Sequence, residues 1–307
     1  MKSGSRLEQV LESGQFAVTA EAGPPKGSRP DVMRKKGELL KSWCDAINVT
    51  DNQAAVVRMS SLAGCLLLKE TGAEPVLQVV VRDRNRLALQ SDILGAAALG
   101  IRNVLCLAGD HQRLGNHPAA AGAYDIDPIQ LLQMLKTLRD EHRVESGETI
   151  SGEVPLYLGA VAHPLAEPLE LHLITLAKKI RAGADFIQTQ AIYELPRFIA
   201  WMDKVREQGL HGKAHILASV LPIKSVAMAR RMRSDVPGMR LPDELVERIE
   251  RAADAKAEGI SICIEMIEQL KRVPGVHGIH IMAVAGEDAV PGIVKAAGLS
   301  PRPERPR

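Results

Sequence analysis

The chain has 307 residues, with 39 basic and 37 acidic side chains and a net charge of +2. This balance, with no basic stripe interleaved with aromatics, leaves no electrostatic footprint for nucleic acid. No apolar run reaches the roughly 18 residues that a membrane-spanning helix needs. A hydrophobic content of 46% with only 3% aromatics predicts one large core built from Ala, Val, Ile and Leu.

Residues 1–13 read as a polar amphipathic helix without the apolar stretch of a signal peptide. Eight short apolar runs follow, at 16–20, 45–49, 75–81, 103–107, 156–161, 184–190, 214–221 and 278–284. Segments with helical spacing lie between them, among them 54–71, 86–99, 128–142 and 168–181. In the last of these Leu169, Leu173, Leu176, Ala177 and Ile180 share one face. Apolar strands alternating with helices predict a parallel sheet covered by helices. Eight such units favour closure into a (β/α)8 TIM barrel, a single α/β domain over 1–299.

Two interruptions elaborate that frame. Residues 111–126, after the fourth strand, are rich in Gly, Ala and His, and 234–273 holds two helix-like segments, 242–255 and 260–272, before the eighth strand. The Pro- and Arg-rich end, 300–307, is expected to be a flexible tail. The Ala-rich stretch 93–98 can pack against another subunit as readily as within this one, so an oligomer or hetero-complex is expected. Cys44, Cys65, Cys106 and Cys263 form no Cys-x-x-Cys pair, and no His-x-x-His spacing occurs, so no metal site is expected. Buried reduced thiols suit a cytoplasmic setting. No Gly-x-Gly-x-x-Gly fingerprint follows a strand, which disfavours a Rossmann nucleotide site.

In a barrel of this kind, polar residues at strand C-termini are the default functional set. The ends carry Glu21, Thr50-Asp51-Asn52, Gln78 with Arg82 and Asp83, Gly109-Asp110-His111, His163-Pro164, Gln188-Thr189-Gln190, Leu221-Pro222 and Gly286-Glu287-Asp288. Asp51 and Asn52 are expected to cap a helix beginning near Ala54, and Glu287 and Asp288 to favour the next helix N-terminus. His111, His117, His142 and His172 read as solvent-facing or loop residues. Glu21 and Gln190 end apolar strands with no cap to make. Desolvation in a barrel mouth favours the protonated form of a carboxylate, which is the form a general acid needs.

In order, FAVTAEAGPPK (16–26), NVTDN (48–52), LCLAGD (105–110), YDIDPIQLL (124–132), Ala162-His163-Pro164, AKKIRAGADFIQTQ (177–190) and Val220-Leu221-Pro222 resemble blocks of the methylenetetrahydrofolate reductase family. The resemblance spans residues 7–298. It implies a flavoprotein barrel, carrying FAD or FMN, that reduces 5,10-methylenetetrahydrofolate to 5-methyltetrahydrofolate. On that resemblance Glu21 is the general acid toward the leaving folate nitrogen. Asp110 lies beside the flavin and helps hold the pterin, which Gln190 also contacts. Thr50, Gln78, Gly109, Asp110, Tyr124, Ala160, His163, Thr175 and Lys179 fall at flavin-contacting positions, Lys179 supplying positive charge.

The pattern departs from the family at Gln78, where a His is usual, and at Ala108, where an Arg is usual. It departs again at Pro222-Ile223-Lys224-Ser225-Val226, which lacks a stacking Phe, and at Ala285-Gly286, which replace Asn-Arg. These departures weaken NAD(P)H as the direct donor, favour FMN over the larger dinucleotide, and point to electrons supplied through a partner protein. The rival reading is a pterin-dependent methyltransferase barrel that uses methyltetrahydrofolate and no redox cofactor.

Overall fold

The computed structural model describes residues 1–234, 241–283 and 286–304. Eight strands form a closed parallel barrel in the order β1 to β8. They are β1 Ala17–Ala22, β2 Ala46–Val49, β3 Pro75–Val80, β4 Asn103–Leu107, β5 Tyr157–Ala162, β6 Phe186–Ala191, β7 His215–Val220 and β8 Val276–Ile281. The register Ala17↔Gly278 to Ala20↔Ile281 closes β1 on β8. All eight predicted strands form, each within about two residues of its expected start; the expected last residue of the eighth run, Val284, lies outside the described residues.

The helices are α1 Arg6–Glu12, α2 Pro30–Leu40, α3 Ser61–Lys69, α4 Arg86–Ala98, α5 Pro128–Glu141 and α6 Leu169–Arg181, then α7 Leu195–Glu207, α8 Val226–Ser234, α9 Asp243–Arg251, α10 Ala255–Leu270 and α11 Val290–Ala296. Helix α5 begins on a complete capping box, the Asp127 side chain accepting from Gln130 N while the Gln130 side chain accepts from Asp127 N.

Alternation along the strands divides the core. Val18, Ala20 and Ala22 of β1, with Leu158, Ala160 and Ala162 of β5, belong to the cluster between sheet and helices. Inside the barrel, Ala17, Ala46, Val76, Leu105, Tyr157, Phe186 and Leu217 pack on Leu7, Val10 and Leu11 of α1. Helix α1 therefore stoppers the N-terminal end, which leaves the C-terminal end as the open mouth. Gly159 makes room for this layer, since a Cβ there would fall 2.2 Å from the Phe186 ring.

Two aspartates staple the closed end in the same way. Asp45 Oδ2 accepts from Val18 N at 2.8 Å, and Asp185 Oδ2 accepts from Leu158 N at 2.8 Å. Arg302 and Arg139 compensate them, at 2.5 and 2.8 Å respectively. Residues 300–304 are therefore not a loose extension, because Arg302 is docked into the barrel base; 305–307 lie outside the described residues.

The elaboration before β8 forms as expected in α9 and α10, which pack Val246, Ile249 and Ile262 against Tyr193, Leu221 and Ile223. Ile93 and Ala96 of the Ala-rich stretch are buried within this chain. The predicted helix over 54–71 is shorter, starting at Ser61, because Asn52, Ala54 and Ala55 all hold positive φ, which an α-helix does not allow.

Candidate active site at the barrel mouth

An open cavity of about 310 Å³ occupies the mouth, lined by residues from six strand ends, Glu21, Gln78, Asp110, His163, Gln190 and His280 among them. A smaller lobe of about 90 Å³ continues toward Thr50, Asp51 and Arg82. Glu21 stands one residue before the end of β1 and is 7% exposed. Its Oε1 accepts from Gln78 Nε2 at 3.4 Å and lies 3.9 Å from His280 Nε2. Its Oε2 is buried without a hydrogen-bond partner among the described residues. A buried carboxylate oxygen left unpaired is costly and marks a place where a ligand or a proton completes the arrangement.

Asp110 is held differently. It is exposed at the rim, its carboxylate accepts from Ala54 N at 3.0 Å, and its carbonyl accepts from Arg82 Nη1 at 2.7 Å. It thus ties the loop after β2 to the end of β4. Gly109 beside it has φ of +81°, and a Cβ there would come within 3.1 Å of Val80. A residue of L configuration is strained in that conformation, so glycine lets the chain turn here and leaves the backbone bare toward the cavity.

Gln190 reaches the cavity through a β-bulge. The β6 and β7 register runs Gln188↔Leu217 and then Ala191↔Ser219, so three residues oppose two. Thr189 Oγ1 donates to Gln190 O at 2.9 Å and accepts from Ser219 N at 2.9 Å, which pins the bulge. As a result both Thr189 and Gln190 line the cavity.

The other expected residues divide into two groups. Thr50, Gln78, Gly109 and His163 line one lobe or the other, and Thr50 Oγ1 is buried without a hydrogen-bond partner among the described residues. Burial, followed by the charges of Lys179 and His172, holds the His163 imidazole below its ordinary value and so neutral. Ala160, Thr175, Lys179 and Tyr124 are outside the lining. Ala160 sits in the outward-facing row of β5, and Thr175 Oγ1 donates to Leu171 O at 2.9 Å along α6. Lys179 Nζ donates to Val161 O at 2.7 Å, behind β5. Burial pushes its ammonium down, with Asp127 acting in the opposite sense. Tyr124, at φ +39°, donates to Gln112 Oε1 at 3.1 Å in the loop after β4 and stacks on His111 at 6.3 Å.

The capping expected of Asp51 and Asn52 does not occur. Asp51 is buried, accepts from Val80 N at 3.0 Å and pairs with Arg84. Burial raises its carboxyl, and Arg84 offsets that. The Asn52 side chain donates to Asp83 at 3.4 Å instead. Glu287 and Asp288 open a short turn before α11 and pair with Lys36 at 2.5 Å and Lys256 at 3.1 Å. Ala285, expected at the eighth-strand end, lies outside the described residues.

Below the mouth lies a polar layer of which strand-end reading named only Gln188. Asn48 Nδ2 donates to Gln188 Oε1 at 2.8 Å, and Gln188 Nε2 donates back to Asn48 Oδ1 at 3.2 Å and to Thr19 Oγ1 at 3.2 Å. Thr19 Oγ1 lies 2.9 Å from His280 Nδ1. The signal was available as period-two polarity: Thr19 stands two before Glu21, Gln188 two before Gln190, and His280 is a lone polar residue in an apolar run.

Among the described residues no group of three His, Cys, Asp or Glu side chains is placed to hold a metal ion, and no helix is long and apolar enough to cross a membrane. All four cysteines are buried and free.

Comparison with known proteins places these features in a family. The chain is 24% identical to a probable methylenetetrahydrofolate reductase (NADPH) of Caenorhabditis elegans over 96% of its own length but only 44% of that protein's. It is 22% identical to the 5,10-methylenetetrahydrofolate reductase of Salmonella typhimurium, covering 94% of this chain and 93% of that one. Among solved structures, an uncharacterized Clostridium thermocellum protein, described as binding two copies of 5-methyl-5,6,7,8-tetrahydrofolic acid, shares the fold. Its TM-score is 0.65 at 15% identity, over 95% of this chain and 98% of that one. The methylenetetrahydrofolate reductase sequence model matches residues 6–298, so the chain belongs to the methylenetetrahydrofolate reductase family.

Proposed function

We propose that the barrel mouth reduces 5,10-methylenetetrahydrofolate to 5-methyltetrahydrofolate with a bound flavin, FAD or FMN. The observation that carries this reading is Glu21, a buried carboxylate with one unpaired oxygen, set among amides at the floor of an open cavity. The lining fits a flat heteroaromatic ring. The Thr50 hydroxyl is unpaired and buried, the Gly109 backbone is bare, the Gln78 and Gln190 amides both donate and accept, and Leu107, Val161 and Met282 give apolar walls. Thr50, Gln78, Gly109, Asp110 and His163 would hold the flavin, with Tyr124, Thr175 and Lys179 toward its tail. When bound and reduced, the flavin supplies a hydride.

The protein's own part is proton transfer and orientation. Glu21 gives its proton to N10 of the folate as the bond from N10 to the methylene carbon breaks. The electron pair of that bond stays on N10, and the carbon becomes an iminium with N5, which a hydride converts to methyl. Gln190 orients the pterin edge, and the negative charge of Asp110 opposes further negative charge on its neighbours. Electrons enter through a partner protein in this reading, because the 222–226 loop has no aromatic ring for a nicotinamide to stack on.

The purified protein should be yellow and should reduce methylenetetrahydrofolate with an artificial reductant. Glu21→Gln should keep the flavin and lose at least about 100-fold in kcat. Wild-type turnover in that variant would refute the acid role. Rapid NADH oxidation by the chain alone would refute the partner route. A second reading draws on the C. thermocellum neighbour, whose description names a methylated folate and no redox group. In it the barrel binds methyltetrahydrofolate and passes on the methyl group, and a colourless protein that takes up no flavin would favour it.

A further inference from the structure

We propose that His280 is the positioning residue for Glu21, holding it in the mouth and stabilising the carboxylate left behind when its proton passes to substrate. This rests on the reading of Glu21 as proton donor. His280 is 3% exposed, projects inward from β8, and lines the same cavity. The layer beneath meets its other ring nitrogen. Asn48 and Gln188 pair reciprocally, which turns the Gln188 amide nitrogen toward Thr19 and His280, 3.3 Å from His280 Nδ1. With the Gln188 hydrogens directed to Asn48 and Thr19, the Thr19 hydroxyl, 2.9 Å from His280 Nδ1 and 3.3 Å from Ile279 O, is the donor open to that nitrogen. In the tautomer we assign, Nδ1 accepts and the ring hydrogen sits on Nε2, facing Glu21 Oε1 at 3.9 Å. A small rotation of either side chain closes that gap to a hydrogen bond, as acid–base contacts commonly tighten once substrate is bound.

The other groups around Glu21 are committed elsewhere or carry no charge. Gln78 on β3 offers a neutral amide at 3.4 Å. Arg82 is held by Asp83 at 2.7 Å, and Asp51 pairs with Arg84. Asp110 faces the cavity from the rim as a like charge, and His163 faces it from β5 as a neutral ring. Gln78 donates to Glu21 Oε1, and His280 Nε2 at 3.9 Å is placed to become the second donor against the field of Asp110. A hydrogen bond to the charged form favours that form, so losing His280 should leave Glu21 protonated to higher pH and a weaker acid.

The decisive measurement needs no turnover. In the purified protein labelled at the Glu δ carbon, with Glu21→Gln used to assign the signal, the deprotonation midpoint of Glu21 should move up by about one pH unit in His280→Leu. It should stay near the wild-type position in His280→Gln, whose amide still donates. If His280→Leu does not fold, His280→Asn carries the test, because its shorter amide cannot reach Glu21 and the midpoint should again rise. In turnover, His280→Leu should cut kcat by about 10-fold with little change in KM, and should move the high-pH limb of the rate profile upward. The same change in a Glu21→Gln background should have no further effect. An unmoved midpoint, or an undiminished loss in that background, overturns the proposal. Absence of folate reduction by wild type would instead overturn the proposed function and leave the titration standing.

Discussion

Glu21 and Asp110 share one cavity yet carry different structural duties. Glu21 is buried and incompletely satisfied, while Asp110 is exposed and fastens a strained loop by accepting from Ala54 N, next to three residues of positive φ. Charge and clamp can be separated at Asp110. Asp110→Asn keeps an oxygen for the Ala54 amide and should leave stability within about 0.5 kcal/mol of wild type, whereas Asp110→Ala should lose about 1 kcal/mol in urea denaturation. Equal stability of the two variants would mean that the clamp contributes nothing. Glu21 was legible in the sequence because a lone carboxylate ended an apolar strand with nothing to cap. The clamp was not legible, because it joins residues 56 apart through a backbone amide. Ala160 illustrates the converse: it neighbours the cavity in sequence, but alternation turns it outward.

At the level of elements, the predicted strands formed because runs of branched aliphatics between turn signals have few alternatives in a parallel sheet. What the pattern could not reveal was the register shift in β6, since a bulge is a relation between two strands. The same holds for the ring pair at the foot of β7 and β8. His277 Nδ1 accepts from Ile216 N at 3.1 Å, and its ring meets His215 edge to face at 4.9 Å. Burial, then the charges of His215 and His211, push His277 down to about 4. The folded state therefore keeps it neutral, while the unfolded chain binds a proton below about pH 6.5. Its contribution is intact above that pH and is lost as pH falls toward 4. In His277→Asn, whose oxygen can still accept from Ile216 N, the stability difference between pH 7 and pH 4.5 should shrink. An identical pH dependence would exclude His277 as the acid-sensitive group.

Across the whole molecule, the closed end of the barrel supports the open one. Strand alternation puts α1 and the aromatic layer at the base, and the two stapling aspartates, Asp45 and Asp185, sit there with their arginines. Asp45 ties together three distant parts of the chain: Val18 N on β1, Arg6 on α1 at 3.2 Å, and Arg302 beyond α11 at 2.5 Å. Arg302 also donates to Phe16 O at 2.7 Å and Leu299 O at 2.8 Å, with 7% of its side chain exposed. Composition alone marked this Pro- and Arg-rich end as loose, because Pro and Arg are common in disordered tails and the buried acceptor lies 257 residues earlier. Removing one partner of a buried ion pair leaves the other charge uncompensated, at about 3–5 kcal/mol, and Arg6 remains to share that burden here. Arg302→Met, which keeps the stem's packing and deletes the charge, should therefore cost about 2–3 kcal/mol in chemical denaturation at pH 7. Asp45→Asn should diminish that cost, since the two residues act as one unit. Because the pair is shielded from solvent, raising the salt to about 1 M should change the loss little. A variant within about 0.5 kcal/mol of wild type would show that the docked arginine is incidental, and that the strands close the barrel without it.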